Sequence, residues 1–296
     1  MTVFDGVLQG IIQGITEFLP VSSDGHLTLF QHFFGLSGEG SMFFTVMLHA
    51  GTLLAVFAAY YKRIFAIIKE FCIMLWQMLR GKFSYKRDAN DAQREGVMIL
   101  VTLIPLLGFY FIKDWFSALA EDSDIIVEGV CFLFTGTMLL LADRCVRGNK
   151  AAREMTVRDA LIIGVFQGIA ALPGVSRSGS TISAGLLLGY GGDFMASFSF
   201  IMGVPAVLGA NLSEAYDAFT SGMAVDWMPI LIGMAVSAVV GFFAVKAVQW
   251  LVGKNKFAVF AYYTLALGVL TLLAGLLEHF TGMGIVQLVG LLGGKA

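Results

Sequence analysis

Six stretches of the chain, residues 42–61, 97–116, 125–142, 194–213, 228–252 and 257–280, are almost wholly apolar. Each is close to the roughly 20 residues a helix needs to cross the hydrocarbon of a bilayer. Few other structures tolerate such a run, because backbone polar groups in lipid must be satisfied within their own segment. Six of them predict an all-α polytopic membrane protein, read as a single membrane domain over residues 1–296. Composition agrees where it decides something: 14% of the residues are charged, against about 25% in a soluble domain. That leaves too little polar surface for a soluble enzyme, a disulfide scaffold or a disordered regulator. A net charge of −2 offers no basic face to nucleic acid. Cys72, Cys131 and Cys145 are too few and too scattered for a disulfide framework or a metal site.

Charge on the connections sets the orientation. The 62–95 segment, read as a loop, carries Lys62, Arg63, Lys69, Arg80, Lys82, Lys86, Arg87 and Arg94, and is expected to signal topology and meet anionic lipid. Residues 143–158 add Arg144, Arg147, Lys150, Arg153 and Arg158, and Lys254 and Lys256 mark a third turn. The positive-inside rule puts these three connections in the cytoplasm. Turns rich in acid, with Asp114, Glu121, Asp122 and Asp124 in one and Glu214, Asp217 and Asp226 in the other, fall on the outer side. Trp76, Trp115, Trp227 and Trp250 fall near the predicted interfaces, as an aromatic belt would.

Four further apolar stretches, 3–20, 27–36, 159–172 and 181–190, are too short or too interrupted to span. The first carries Asp5, Gln9, Gln13 and Glu17 without a preceding basic segment, which is not the pattern of a secretory leader. They form two pairs, and the side on which each neighbouring span begins requires each pair to start and finish on one side of the membrane. Both are predicted to be re-entrant helical hairpins, the first dipping from outside and the second from inside. Their loops repeat. Gln13-Gly14-Ile15 returns as Gln167-Gly168-Ile169, Pro20 as Pro173, and Ser22-Ser23-Asp24-Gly25 as Ser176-Arg177-Ser178-Gly179. Each copy precedes three spans, so the prediction is an inverted-topology repeat with halves of about 1–145 and 155–280. Broken helices at matching positions of two halves point to a binding site near the midplane.

The second arm of each hairpin starts as a helix whose first backbone N–H groups have no partner and attract anions. Ser22 and Gly25 in the first loop, and Ser176, Ser178, Gly179, Ser180 and Thr181 in the second, suit a phosphate: glycine admits it to the backbone and hydroxyls donate to it. Arg177 adds a planar fork matched to phosphate. The first loop differs in kind. Glu17 lies one helical turn beyond Gln13, and His26 follows Ser23 by three residues, which places those two on one face. A hydroxyl, an imidazole, a carboxylate and an arginine are the parts of phosphoryl transfer, with Glu17 able to ligate a divalent cation. Ser23 and His26 are both candidate nucleophiles. Asp24 is read as a helix cap, and His32, His49 and His279 as structural histidines. The rival class is a transporter or flippase of a lipid phosphate, since inverted repeats with broken helices are common in carriers. Against it stands the asymmetry of the loops: only one copy carries the carboxylate, hydroxyl and imidazole.

The runs Gly14 to His26 and Pro173 to Ser183 resemble the two signature regions of undecaprenyl-diphosphate phosphatases, the bacitracin-resistance family. Phe43 to Val56 and Phe198 to Pro205 resemble it as well. The resemblance implies hydrolysis of undecaprenyl diphosphate to the monophosphate, the lipid carrier recycled for peptidoglycan and other envelope polymers. It implies catalytic roles for Glu17, Ser23, His26 and Arg177, phosphate binding around Ser176 and Thr181, and a divalent cation, Mg2+ or Ca2+, near Glu17 and Gln13. It also implies a bacterial plasma (inner) membrane location with a site open to the outer face. Two residues depart from the pattern: Gln13 stands where many members have glutamate, and Asp24 where a small neutral residue is common. Oligomeric state is left open, a homodimer included.

Overall fold

Proline, glycine and serine break the polar-tipped stretches into short helices, and the apolar runs fold as long ones. The computed structural model describes residues 2–36, 41–111, 125–146, 148–220, 226–253 and 257–285. In order, the helices are α1 (Val3–Thr16), α2 (Ser23–Phe34), α3 (Ser41–Leu79), α4 (Asp91–Tyr110), α5 (Ile126–Arg144), α6 (Val157–Ile169), α7 (Arg177–Leu187), α8 (Gly192–Thr220), α9 (Trp227–Gly253) and α10 (Phe257–Thr281). Single helical turns at Tyr85–Asp88 and Ala152–Glu154 lie in connections. The only strand-like pairing among the described residues is an isolated bridge between Lys150 and Tyr190.

Six helices, α3, α4, α5, α8, α9 and α10, are long and apolar enough to cross a membrane, and they coincide with the six predicted stretches. Three boundaries differ, one of them at α8, which runs past 213 to Thr220 so that Glu214 and Asp217 stand in helix rather than in a turn. α3 continues past residue 61 to Leu79 after a kink at Tyr60 (φ −119°, ψ 17°), so the basic connection begins as helix rather than loop. The reason is amphipathic spacing: Ile64, Ile67 and Met74 are buried along one side while Lys62 and Lys69 face out. α4 starts at Asp91, ahead of the expected 97, because Asn90 and Gln93 close a capping box there. The far end of that stretch, with Asp114, Trp115 and the acidic turn at 121–124, lies outside the described residues, as do Arg147, Lys254 and Lys256.

The molecule is turned inside out relative to a soluble one. Leu54, Ile104, Leu107, Val239, Phe243 and Leu270 are exposed on the long helices, whereas Gln9, Gln13, Glu17, Thr135 and Thr264 are buried. Such a surface suits lipid. α1 lies along α9, α6 along α4, and α5 along α10, while α3 touches both α8 and α9. Close approach in the first of these pairs needs glycine: a Cβ at Gly6 would meet Pro229 O, and one at Gly10 would meet Gly233 O, each at 2.5 Å. Away from the hairpin tips, Arg63 ties three helices together. Its Nη2 is 2.9 Å from the buried carboxylate of Glu95 and its Nη1 donates to Ser197 Oγ at 2.6 Å.

Candidate active site

Both hairpin turns are built from the same local chemistry. Pro20 disfavours continued helix at the residue before it, so α1 ends and the chain turns through 17–21. Ser22 then caps α2 by accepting from Gly25 N at 3.3 Å, in a backbone conformation with φ 71° that non-glycine residues rarely adopt. In the second hairpin Pro173 and Gly174 make the turn, and Ser176 caps α7 by accepting from Gly179 N at 3.0 Å. Thr135 of α5 secures that turn twice, donating to Gly174 O and accepting from Ser176 N, both at 3.0 Å.

The two tips touch. A Cβ on Gly25 would meet Gly174 Cα at 2.8 Å, so the turns come closer than side chains permit. Ser178 Oγ is 3.4 Å from Leu19 O, and Phe18 packs edge-on against Phe200 of α8 with ring centroids 5.4 Å apart. At the centre of this junction Glu17 is buried and surrounded by donors. Arg177 Nη2 makes an ion pair with its Oε1. Its Oε2 accepts from Ser23 Oγ at 2.6 Å and from Gln13 Nε2 at 3.1 Å. Arg177 Nη1 is buried with no partner. Glu17 and Arg177 line a narrow slot with Thr52, Val56, Phe200 and Gly203. The first N–H groups of α2 and of α7 are thereby brought to one junction beside an unsatisfied guanidinium nitrogen, a setting for an anion.

The expected residues divide into two groups. Gln13, Glu17, Ser23 and Arg177 come together as one hydrogen-bonded cluster. His26 stands apart from it. Its Nδ1 donates to Ser22 O at 2.6 Å, which leaves Nε2 as the acceptor for Tyr263 OH at 2.7 Å, and its ring packs edge-on against Phe132. Three residues along a helix place Ser23 and His26 near one another, yet the side chains lean to different neighbours. The hydroxyls of the second loop serve structure: Ser176 Oγ is 3.3 Å from Ser178 Oγ, and Thr181 Oγ1 donates to Arg177 O and meets Ser199 Oγ at 2.7 Å. Ser180 Oγ is buried without a partner.

Three further residues enter: His49 and Asp24, read from the sequence as structural and capping, and Tyr263, which the sequence did not single out. His49 of α3 sits 3.3 Å from Glu17 Oε2 and 2.9 Å from Gln13 Nε2 by its Nδ1, and 2.9 Å from Asp24 Oδ1 by its Nε2. Asp24 does not cap α2 as expected, because Ser22 holds that position, and its carboxylate is bonded across to α3 instead. Tyr263 on α10 holds the free nitrogen of His26. Nothing in the local sequence around His49 or Tyr263 signals either contact, since each joins elements far apart in the chain. The other two histidines lie elsewhere, with His32 Nε2 2.9 Å from Glu278.

The neighbours of Glu17 also test the cation that the resemblance implies. A hard divalent cation gathers about six or more oxygens. Around Glu17, Arg177, Ser23 and Gln13 turn N–H and O–H donors toward the carboxylate. No three His, Cys, Asp or Glu side chains among the described residues converge on a point that would hold an ion. Gln13 Oε1, buried and without a partner, is one oxygen and not a cage. These residues do not fit a protein-held cation.

Fold and site together define a class: a multi-pass helical membrane protein whose two short helical pairs meet at a buried carboxylate, serine and arginine. Residues 6–270 match the model of the family described as bacitracin resistance protein BacA. The chain is 40% identical over 280 residues to an undecaprenyl-diphosphatase of Alkaliphilus metalliredigens, covering 94% of this chain and 100% of that one. It is 38% identical to the protein of the same name in Halothermothrix orenii, over 93% of this chain and 100% of that one. With the one in Desulforapulum autotrophicum the identity is 35%, over 93% and 99%. The chain belongs to the bacitracin resistance protein BacA family.

Proposed function

We propose that this protein hydrolyses undecaprenyl diphosphate to undecaprenyl phosphate and inorganic phosphate at the junction of the two hairpin tips. The observation that carries the reading is the bond from Ser23 Oγ to Glu17 Oε2 at 2.6 Å, beside the unsatisfied Nη1 of Arg177. Family membership gives the substrate, since the relatives bear the name undecaprenyl-diphosphatase. The diphosphate takes the Arg177 fork and the free N–H groups at the starts of α2 and α7. As it draws the guanidinium away, Glu17 keeps its bond to Ser23. Ser23 Oγ attacks the terminal phosphorus and passes its proton to Glu17, the bridging P–O bond breaks, and the lipid monophosphate leaves. Water then releases phosphate from Ser23. His26, whose Nε2 faces Tyr263, fits a proton-handling or substrate-orienting role better than that of nucleophile. A requirement for Mg2+ or Ca2+ belongs to the same proposal, and such a cation would offset charge on the diphosphate without a dedicated set of protein ligands.

The architecture enters the proposal too. α1, α2, α6 and α7 have 14, 12, 13 and 11 residues, or roughly 17–21 Å at about 1.5 Å per residue, short of the ~30 Å hydrocarbon core. Re-entrant hairpins fit those lengths. An inverted repeat is supported by the pairing, because the first arm of each hairpin lies along the second long helix of the other half, α1 on α9 and α6 on α4. The site is proposed to open to the outer face of a bacterial plasma membrane.

Phosphate release from undecaprenyl diphosphate by purified protein in detergent, with and without Mg2+ or Ca2+, tests the function. Release is expected, and it should fall in Arg177→Lys. No release, together with passage of intact lipid across liposomes, would replace the phosphatase with a carrier.

A further inference from the structure

His49 and Asp24 are polar groups at the junction for which the mechanism above has no use, and they are bonded to each other across elements. Asp24 Oδ1 can only accept, so His49 Nε2, 2.9 Å away, carries the proton between them. In a ring protonated there, Nδ1 is a lone pair, and Gln13 Nε2 at 2.9 Å donates into it. The second N–H of the same amide donates to Glu17 Oε2 at 3.1 Å. This assignment satisfies the hydrogen bonds that run from Asp24 through His49 and Gln13 to Glu17, while a second proton on Nδ1 would instead pair the ring directly with Glu17 Oε2, 3.3 Å away.

We propose that His49 and Asp24 are positioning residues that hold Glu17, through the Gln13 amide, in register with Ser23; this rests on the phosphatase reading. Two features of the molecule support it. Asp24 neighbours Ser23 in the chain, so its bond to His49 pins the start of α2 to α3 while the Gln13 amide pins Glu17 to the same imidazole. Glu17 and Ser23 are thus referenced to one side chain. The other copy of the repeat is the control. The offset that carries Gln13 onto Gln167 carries His49 onto Gly203, and there the amide N and O of Gln167 are both buried without partners. The copy without a nucleophile lacks the chain. Glutamine at 13 and aspartate at 24, the two departures noted from the family pattern, are the groups this arrangement needs: a donor on both sides at 13 and an acceptor at 24.

Steady-state kinetics of the full-length protein on undecaprenyl diphosphate, with thermal unfolding in parallel, tests this. Displacing a base by even an ångström costs up to about 100-fold. His49→Ala is expected to lower kcat about 10- to 100-fold with KM within about twofold. His49→Gln should recover most of the loss, since a glutamine amide also donates to Asp24 and accepts from Gln13. The Asp24 side chain is 47% exposed, so Asp24→Ala leaves the fold intact and should lower kcat by itself. Combined with His49→Ala it should add nothing further. Unchanged kcat in Asp24→Ala, failure of His49→Gln to recover, or losses that simply multiply would overturn the positioning role while leaving the phosphatase standing. Absence of phosphate release from the wild type would remove both.

Discussion

Arg177 reaches Glu17 because residue 203 has no side chain. A Cβ there would overlap the guanidinium, so Gly203 is the opening through which α7 places its charge across α8. Gly203→Ala should therefore act as an indirect loss of Arg177. A hydrogen bond to a charged group is worth about 1.5–3 kcal/mol, so kcat/KM should drop roughly 10- to 100-fold in protein that unfolds at the wild-type temperature. Arg177→Lys should lose a similar amount, because lysine keeps the charge without the fork. Wild-type kcat/KM in both variants would show that the guanidinium does not bind phosphate. At this scale the sequence was legible where neighbours in the chain become neighbours in space. Gln13 and Glu17, one turn apart, do hydrogen-bond. Ser23 and His26 defeated the same logic, because a shared helix face fixes Cβ directions and not the partners each side chain finds. The contacts of His49 were unreadable: they arise because α3 passes beside the first hairpin, a tertiary fact.

Helix α1 owes its place to Gly6, Gly10 and Gly14, spaced by four and laid on the backbone of α9 at Pro229, Gly233 and Ser237. In lipid no hydrophobic force draws helices together, so close backbone contact is the main source of association. Gly10→Leu should wedge α1 off α9, costing about 1–3 kcal/mol as overpacking does. It should lower the unfolding temperature in detergent and reduce phosphatase activity, since α1 carries Gln13 and leads to Glu17. An unchanged melting curve would mean that α1 is held by its tip alone. The spans and the short hairpin arms could be read because length against bilayer thickness is a coarse, robust signal. The continuation of α3 to Leu79 was hidden by its lysines, which advertise a loop although Ile64, Ile67 and Met74 keep one face apolar.

For the whole molecule, the basic connections orient every element, and one cysteine can report on them. Cys72 is exposed on the extension of α3, while Cys131 is buried. With the 62–95 connection inside, a membrane-impermeant maleimide should label Cys72 in inverted vesicles and leave it unlabelled in intact cells. The reverse pattern would turn the molecule over and place the proposed opening on the wrong side. The chemistry of the site depends on both halves, since Glu17 and Ser23 come from one hairpin and Arg177 from the other. That union was foreseeable from the repeated loops, but the closeness of Gly25 to Gly174 was not. The most direct test of the account is Ser23→Ala, with turnover of undecaprenyl diphosphate and binding of the same lipid measured on one preparation. If Ser23 attacks phosphorus with Glu17 as its base, turnover should fall on the order of 10³-fold while affinity changes by no more than a few fold. Turnover close to wild type would contradict the account at its centre.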